Sequence, residues 1–397
     1  MSQPHLLNVY NRAEPLFVRG EGSWLFTDRD EAWLDCVSGI ATNALGHAHP
    51  ALREALGRQA AKLWHVSNMF RVEGQERLAT KLAAHTFADR VFFTNSGAEA
   101  VECALKLARR HHHASGHPER TVIYSLAGAF HGRTYATVNA AGNPAYLEGF
   151  GPALPGYAVL SSDDRSALDR ALAAADTAAV IVEPVQGEGG AREMPSDLLR
   201  WLRLECTRRG VLLIYDEVQS GMGRTGRLFA HQWHGGCDPD VMTIAKALGG
   251  GFPVGACLST EAASSGMLPG THGSTFGGNP LAMAVAEAAF DIIADPAFLD
   301  TVEARSEKLR DGLKALAARH ETIVREVRGK GLLVGVALHP NNRTFMAAAR
   351  AQRLLLAGGG DNVVRLLPPL NISVEEVDEI LRRFDATCVS MTMAQAS

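Results

Sequence analysis

VLLIYDEVQSGMGRTG, residues 211–226, followed by DVMTIAKALGGGFPVGA, residues 240–256, decides how this chain folds. Each opens on a short, β-branched apolar run that ends in one charge, Asp216 or Lys246, and then enters a glycine-rich loop. Runs of this length, bounded by Gly and without alternation, read as strands buried on both faces of a parallel sheet. The two charges lie thirty residues apart and should emerge at strand ends. Ligands of open α/β sheets bind there, outside the carboxyl ends of the strands. An acid and an amine so placed suit pyridoxal phosphate (PLP). Lys246 would form the Schiff base, and Asp216 would hold the pyridine nitrogen protonated so that the ring draws electrons. A buried Asp–Lys ion pair, or two unrelated strand-end charges, is the alternative to be weighed against the rest of the chain.

Working outward, RVFFTN (90–95), TVIYSL (121–126) and AAVIVEP (178–184) supply further apolar runs. Between them lie helical stretches: EAVECALKLARRHHH, with an apolar stripe of Ala100, Cys103, Ala104, Leu107 and Ala108, and DLLRWLRLECTRRG. Strand–helix alternation from about Arg90 to Val254 predicts an α/β fold, a mostly parallel sheet covered on both faces. After NPLAMAVAEAAFDIIAD (279–295), a long helix, the texture turns to α+β. It continues through a helix around Leu309–Arg319, VREVRG, LLVGVAL, VVRLLPPL and a last helix from Ser373. That third reads as a smaller domain, with no disordered linker before it and the boundary running along a continuous helix.

Composition narrows the function classes. A chain of 397 residues with 46% hydrophobic residues has ample core for two or three domains. Its 39 basic and 43 acidic residues give a net charge of −4, with no Lys/Arg block to meet a nucleic acid or a membrane surface. The N-terminus, MSQPHLLNVYNRAEP, has neither the basic nor the apolar region of a signal peptide. No apolar stretch approaches membrane-spanning length. The six cysteines form no CxxC pair and read as reduced thiols, so a cytoplasmic enzyme without a metal is expected.

Several loops carry candidate chemistry. In FFTNSGAEAVECALKLAR, Ser96, Gly97 and Ala98 stand between a strand and a helix start, where backbone N–H groups can approach a phosphate. Ser96 with Glu99 also makes an ordinary capping box, and both roles are compatible. SLAGAFHGRT offers Phe130 to stack on a planar ring, Gly132 as a hinge, and Arg133 as a fork for a carboxylate. VEPVQGEGG adds Glu183, which reads as structural, and Glu188, which reads as a substrate contact or a partner for an arginine. Arg365 in NVVRLLPPL is flanked by apolar residues, so it either has a partner or ligand or sits on a solvent-facing edge strand. Gly358, Gly359 and Gly360 before it read as a helix-to-strand turn.

Two features mislead. Gly221, Gly223 and Gly226 spell GxGxxG, the one support for a nucleotide-dependent oxidoreductase. Yet no helix opens at the third glycine, and no second strand ends in an acid about twenty residues on. His111, His112 and His113 sit late in a helix and are expected to face water rather than bind metal.

As an ordered set, these motifs resemble the class III aminotransferases, PLP enzymes of fold type I, over nearly the whole chain. The resemblance runs from FVRGEGSWLFTDRDEAWLDCVSGIATNALGHAHP through NSGAEA, AFHGRT, VEPVQGEGG, DEVQSGMGRTG, TIAKALGGGFPVGA and GTHGSTFGGNPLA to VVRLLPPLNIS. It implies a large PLP-binding domain (49–290) with a mostly parallel seven-stranded sheet. A smaller α+β domain would be drawn from an N-terminal segment (1–48) and the C-terminus (291–397). It implies that Lys246 is the Schiff-base lysine and Asp216 the partner of the pyridine nitrogen. Gln219 would stand near the ring hydroxyl, and Val218 behind the ring, opposite Phe130. Ser96, Gly97 and Ala98 would cup the phosphate, with Thr275 reaching it from a neighbouring subunit in a homodimer and Ser274 beside the substrate. Arg133 resembles a substrate-carboxylate anchor. Arg365 resembles a second anchor that pairs with Glu188 and is released when glutamate binds. Ornithine-specific members carry a tyrosine where this chain has Ile40, so the resemblance favours an acylated amine such as N-acetylornithine over ornithine. Succinylornithine and succinyl-diaminopimelate remain open, and 4-aminobutyrate is a further member substrate. The implied chemistry is a ping-pong transfer to 2-oxoglutarate, as used in arginine biosynthesis.

Overall fold

The structure, a computed structural model, describes residues 5–396; residues 1–4 and 397 of the expected terminal segments lie outside it. The chain opens with an antiparallel meander of β1 (Phe17–Glu21), β2 (Trp24–Thr27) and β3 (Ala32–Asp35). Helix α1 (Pro50–Ala60) then leads towards the central sheet.

That sheet holds the apolar runs quoted above: β4 (Arg90–Thr94), β5 (Val122–Leu126), β6 (Tyr157–Leu160), β7 (Thr177–Val182), β8 (Leu212–Asp216), β9 (Val241–Ile244) and β10 (Gly255–Ser259). Its order is β4-β10-β9-β8-β7-β5-β6. All neighbours pair in parallel except β10, which runs antiparallel to both β9 and β4. Register places Ile214 opposite Val241 and Asp216 opposite Thr243, so β8 and β9 end side by side.

Side-chain alternation explains why these runs carry no polar face. Ala179, Ile181, Leu212 and Ile214 pack with α2 (Gly97–Ala114) through Val101, Ala104 and Leu107. Val180, Val182, Leu213 and Tyr215 point the other way, onto α3 (Arg165–Ala173) and α4 (Ser196–Arg209). A period of two with both faces covered gives a continuous apolar run. The apolar stripe of α2 extends one turn further than expected. His112 stands four residues after Ala108, so the same geometry carries it inward rather than to water. There it is 2% exposed and its Nε2 meets the Ala178 carbonyl at 2.8 Å. Burial lowers its pKa.

The long helix expected at 279–295 is a single helix, and a second, longer one follows it directly. α5 (Pro280–Ile293) ends, Asp295 caps the Ala297 N–H, and α6 (Pro296–Arg319) begins with proline at its first position. Proline fits the first turn of a helix and cannot continue one. Beyond α6, β11 (Val324–Lys330), β12 (Leu333–Leu338), β14 (Ala357–Gly359) and β15 (Val363–Leu366) form an antiparallel sheet ordered β11-β12-β15-β14, with the two-residue β13 (Leu354–Leu355) joining β3 in parallel. Arg365 is therefore on an interior strand, not an edge. The glycines 358–360 do more than turn the chain, since Ala357–Gly359 is the edge strand beside Arg365. One apolar cluster runs from Leu52 through Met283, Phe290 and Leu309 to Val334, Val336 and Leu366. It joins this sheet to α1 and α5. Among the described residues no helix is long and apolar enough to cross a membrane.

Candidate active site

A cavity of about 810 Å³ opens at the carboxyl ends of β5, β7, β8 and β9. Asp216 and Lys246 both line it. Asp216 closes β8 and is 3% exposed. Its Oδ1 accepts from the Val218 N–H at 3.0 Å and the Thr243 hydroxyl at 3.1 Å, while Oδ2 pairs with His131 Nδ1 at 2.8 Å. A carboxylate offers about four acceptor positions, so these three donors leave one open on a residue that lines the cavity. Burial opposes charge on His131, but the hydrogen bond to Asp216 and the charges of Asp216 and Glu183 outweigh it and raise its pKa.

Lys246 follows β9 after Ala245 and starts a short 3-10 turn with φ +43°. That backbone region costs a non-glycine residue roughly 1–2 kcal/mol, and such strain collects at functional sites. Burial lowers the pKa of its amine to about 8, with Asp216 opposing the shift. A lysine of this kind is a usable nucleophile near neutral pH. Glu183 is not merely structural: it lines the cavity, and its Oε2 accepts from the Phe130 N–H at 2.9 Å. Burial raises its pKa to about 7, against the pull of His131.

Arg365 is 2% exposed. Its Nη2 donates to Glu188 Oε2 at 2.6 Å, its Nε to the Gly358 carbonyl at 2.9 Å, and its Nη1 to Gln219 Oε1 at 3.4 Å. Glu188 is the exposed member of the pair, its side chain 39% accessible. Arg133 takes a different course. Among the described residues it has no carboxylate partner, and it lies over the Tyr146 ring at 3.6 Å and the Phe130 ring at 5.4 Å. Cation–π contacts hold the guanidinium at the cavity mouth while leaving its N–H fork free.

Ser96 caps, and Gly97 and Ala98 begin, the eighteen-residue α2, whose N-terminus faces the cavity. Ser96 Oγ accepts from the Glu99 N–H at 3.2 Å. The reciprocal half of the capping box is displaced by one residue, because Glu99 Oε2 accepts from the Asn95 N–H at 2.7 Å. A Cβ at Gly97 would stand 2.6 Å from Val218 Cγ1, so only glycine lets helix and loop meet here. Ile40 reaches the cavity from a left-handed turn in which Ser38, Gly39, Ile40 and Ala41 have φ of +47°, +62°, +61° and +67°. Left-handed geometry is costliest for a β-branched residue.

Thus Lys246, Asp216, Ser96, Gly97, Ala98, Phe130, Val218, Gln219, Arg133, Glu188, Arg365 and Ile40 converge on one cavity. Ser274 and Thr275 do not. They line a neighbouring cleft of about 440 Å³, where Ser274 Oγ accepts from Asn95 Nδ2 at 3.3 Å. Residues of a loop that serves a second subunit's site would be out of reach within one chain. His131, Thr243 and Tyr10 are cavity or floor residues that sequence reasoning passed over. Thr243 left a signal, being the one polar residue inside an otherwise apolar strand. His131 lay inside a quoted motif but was not singled out.

These residues fit PLP. The helix N-terminus with its glycine cradle suits the phosphate. The free acceptor position of Asp216 suits a protonated ring nitrogen, and Lys246 supplies the amine. By contrast, the GxGxxG segment is a buried loop followed by a five-residue 3-10 turn (Ala230–His234) rather than an α-helix, and Arg224 within it donates to the Leu332 and Pro368 carbonyls.

Comparison with known proteins gives the same direction. A family model described as aminotransferase class-III matches residues 9–388. Acetylornithine aminotransferase 2 of Caulobacter vibrioides is 59% identical over 387 residues, covering 98% of this chain and 96% of that protein. The N-acetylornithine aminotransferase of Stenotrophomonas maltophilia K279a superposes with a TM-score of 0.85 at 37% identity, covering 97% of this chain and 98% of that one. An ornithine aminotransferase of Toxoplasma gondii, crystallized with oxidized glutathione and holding PLP at partial occupancy, superposes with a TM-score of 0.94 at 30% identity. That match covers 99% of this chain and 94% of the other.

Proposed function

We propose that this chain, which belongs to the class III aminotransferases, moves the terminal amino group of N2-acetyl-L-ornithine to 2-oxoglutarate. The products are N-acetyl-L-glutamate 5-semialdehyde and L-glutamate. The observation that carries the reading is Arg365, a buried guanidinium whose anionic partner Glu188 is itself half exposed to the cavity. Such a pair suits a site that must take a dicarboxylate in one half-reaction and do without it in the other. Ile40 at the cavity wall gives an acylated α-amine an apolar neighbour and a free ammonium nothing to pair with.

Bound in the cavity, PLP supplies an electron-withdrawing ring that stabilises negative charge on the substrate carbon. Lys246 would hold the cofactor covalently. Its Nζ, once free, would serve as the acid–base group that takes a proton from the donor's terminal carbon and gives it back in the course of the transfer. Desolvation has already lowered this amine to about 8, near the range where an acid–base group works in both directions. Asp216, fixed by His131, Thr243 and the Val218 N–H, would hold the cofactor's ring nitrogen protonated. Arg133 would orient the donor's carboxylate, and Arg365 would bind the acceptor's distal carboxylate after Glu188 swings aside. Ser96, Gly97 and Ala98 would anchor the phosphate. The partners are small molecules. We further read the separation of Thr275 from the cavity as a site completed by a second copy of the chain.

The test is a half-reaction screen: PLP-loaded protein mixed with N-acetylornithine, ornithine or 4-aminobutyrate, following loss of the absorbance of lysine-bound PLP. N-acetylornithine should react with the highest kcat/KM. Equal or faster reaction of free ornithine contradicts the substrate assignment, and no reaction with any amine contradicts the transfer itself.

A further inference from the structure

Four successive left-handed residues, Ser38–Ala41, need an external hold, because three of them carry side chains that disfavour this backbone. The hold is visible. Asp35, at the end of β3 and 2% exposed, accepts the Val37 N–H at 2.8 Å and the Ser38 N–H at 3.0 Å, both on Oδ1. Its Oδ2 meets His47 Nε2 at 2.8 Å. His47 is in turn fixed from behind. Its backbone exchanges two hydrogen bonds with Gly22, at 2.8 and 3.1 Å, and its ring lies so near Gly20 that a Cβ there would stand 2.7 Å away. On the far side of the turn, the Ile40 carbonyl faces Gln219 Nε2 at 3.5 Å, and the Cys36 carbonyl accepts the Leu367 N–H at 2.8 Å. The turn therefore lies between the N-terminal meander and the loops that carry Gln219 and follow Arg365.

We infer that Asp35 and His47 are positioning residues: their pair locks the left-handed turn that presents Ile40 to the cavity, and so sets the preference for an amine donor whose α-amine is acylated. This rests on the substrate reading above and adds to it the part that enforces the choice. Neither residue lines the cavity, so neither touches substrate. Without the pair, the backbone would relax towards right-handed or extended geometry. Ile40 would then leave the wall and the apolar contact with the acyl end would be lost.

The experiment compares wild type, His47→Ala, His47→Gln, Ile40→Gly and the double variant His47→Ala/Ile40→Gly as PLP-loaded enzymes. Each is measured in the half-reactions with N-acetylornithine, ornithine and 2-oxoglutarate. His47→Ala should lower the N-acetylornithine to ornithine ratio of kcat/KM by about tenfold or more, the usual reach of an apolar contact. The loss should appear in KM, with the 2-oxoglutarate half-reaction unchanged. His47→Gln, which keeps a donor for Asp35, should restore part of the ratio. In the Ile40→Gly background, His47→Ala should shift the ratio no further, because its effect travels through that side chain. Hydrogen exchange on the cofactor-free protein gives a readout independent of turnover: the Val37 and Ser38 amides should exchange faster in His47→Ala. A ratio that survives His47→Ala, an equal shift in the Ile40→Gly background, or unchanged amide exchange overturns the inference. Should His47→Ala fail to fold, His47→Asn, too short to reach Asp35 from the same backbone, carries the same comparison. A wild type that does not prefer the acylated donor contradicts the substrate reading and the selective role together, so the two failures are distinguishable.

Discussion

Replacing Glu188 by glutamine isolates the competition at Arg365. In the resting site a substrate carboxylate must displace Glu188 Oε2 from Arg365 Nη2, a charge-assisted contact of 2.6 Å. Hydrogen bonds to charged groups contribute roughly 1.5–3 kcal/mol. The Glu188 side chain is 39% accessible, so solvent screening reduces its share to about 1–2 kcal/mol. A neutral amide retains about half the strength of the charged acceptor and none of the net attraction. Arg365 would remain anchored on the Gly358 carbonyl and Gln219, so the variant should fold. Glutamine therefore removes about 0.5–1 kcal/mol of competition, which corresponds to roughly a 2- to 5-fold fall in the KM for 2-oxoglutarate. Product inhibition by glutamate should strengthen by a similar factor. Initial rates at varied 2-oxoglutarate and saturating N-acetylornithine measure both. A KM that stays level or rises would refute the idea that Glu188 competes with the acceptor for Arg365.

Other expectations follow from the same geometry. Arg133→Ala should reduce kcat/KM for carboxylate-bearing donors by roughly 10- to 100-fold while leaving PLP affinity unchanged, and steady-state kinetics with a PLP titration check both halves. Gly97→Ala sets a Cβ 2.6 Å from Val218 Cγ1, and valine has little rotamer freedom to yield. Overpacking of about 1–3 kcal/mol should weaken PLP binding by about tenfold in equilibrium dialysis, and unchanged affinity would count against the cradle. For Lys246 the sign follows from its lowered pKa, about 8 in the fold against 10.5 as the ordinary value. Between those limits the unfolded chain binds more protons, so the stability of cofactor-free protein rises with pH across that window. Lys246→Met escapes the penalty, and urea unfolding should find it more stable than wild type at pH 7, by up to about 3 kcal/mol. That advantage should vanish near pH 10.5, and a pH-independent difference would contradict the burial of the amine.

Much of this was legible in the sequence because parallel strands buried on both faces write themselves as unbroken apolar runs. Asp216 and Lys246 stood out as charges that such runs do not tolerate without purpose. What the runs concealed was anything depending on a partner elsewhere in the chain. Thr243 supports Asp216 only because β8 and β9 are in register, and His131 finds Asp216 across 85 residues of sequence. Gly358 looked like punctuation, yet its carbonyl is an acceptor for Arg365. His112 was misread through its neighbours, although four residues from Ala108 it falls on the buried face. The left-handed turn at Ile40 has a single glycine to announce it, and the hold on it comes from Asp35 and His47.

The most direct measurement is borohydride reduction of PLP-loaded protein followed by peptide mapping, with and without prior addition of excess N-acetylornithine. In the resting enzyme the label should sit on Lys246 and on no other lysine. Pretreatment with the amine donor should abolish the label, because the lysine is then free. A label elsewhere, or one on Lys246 that N-acetylornithine does not remove, would contradict the account of this cavity as an aminotransferase site for that donor.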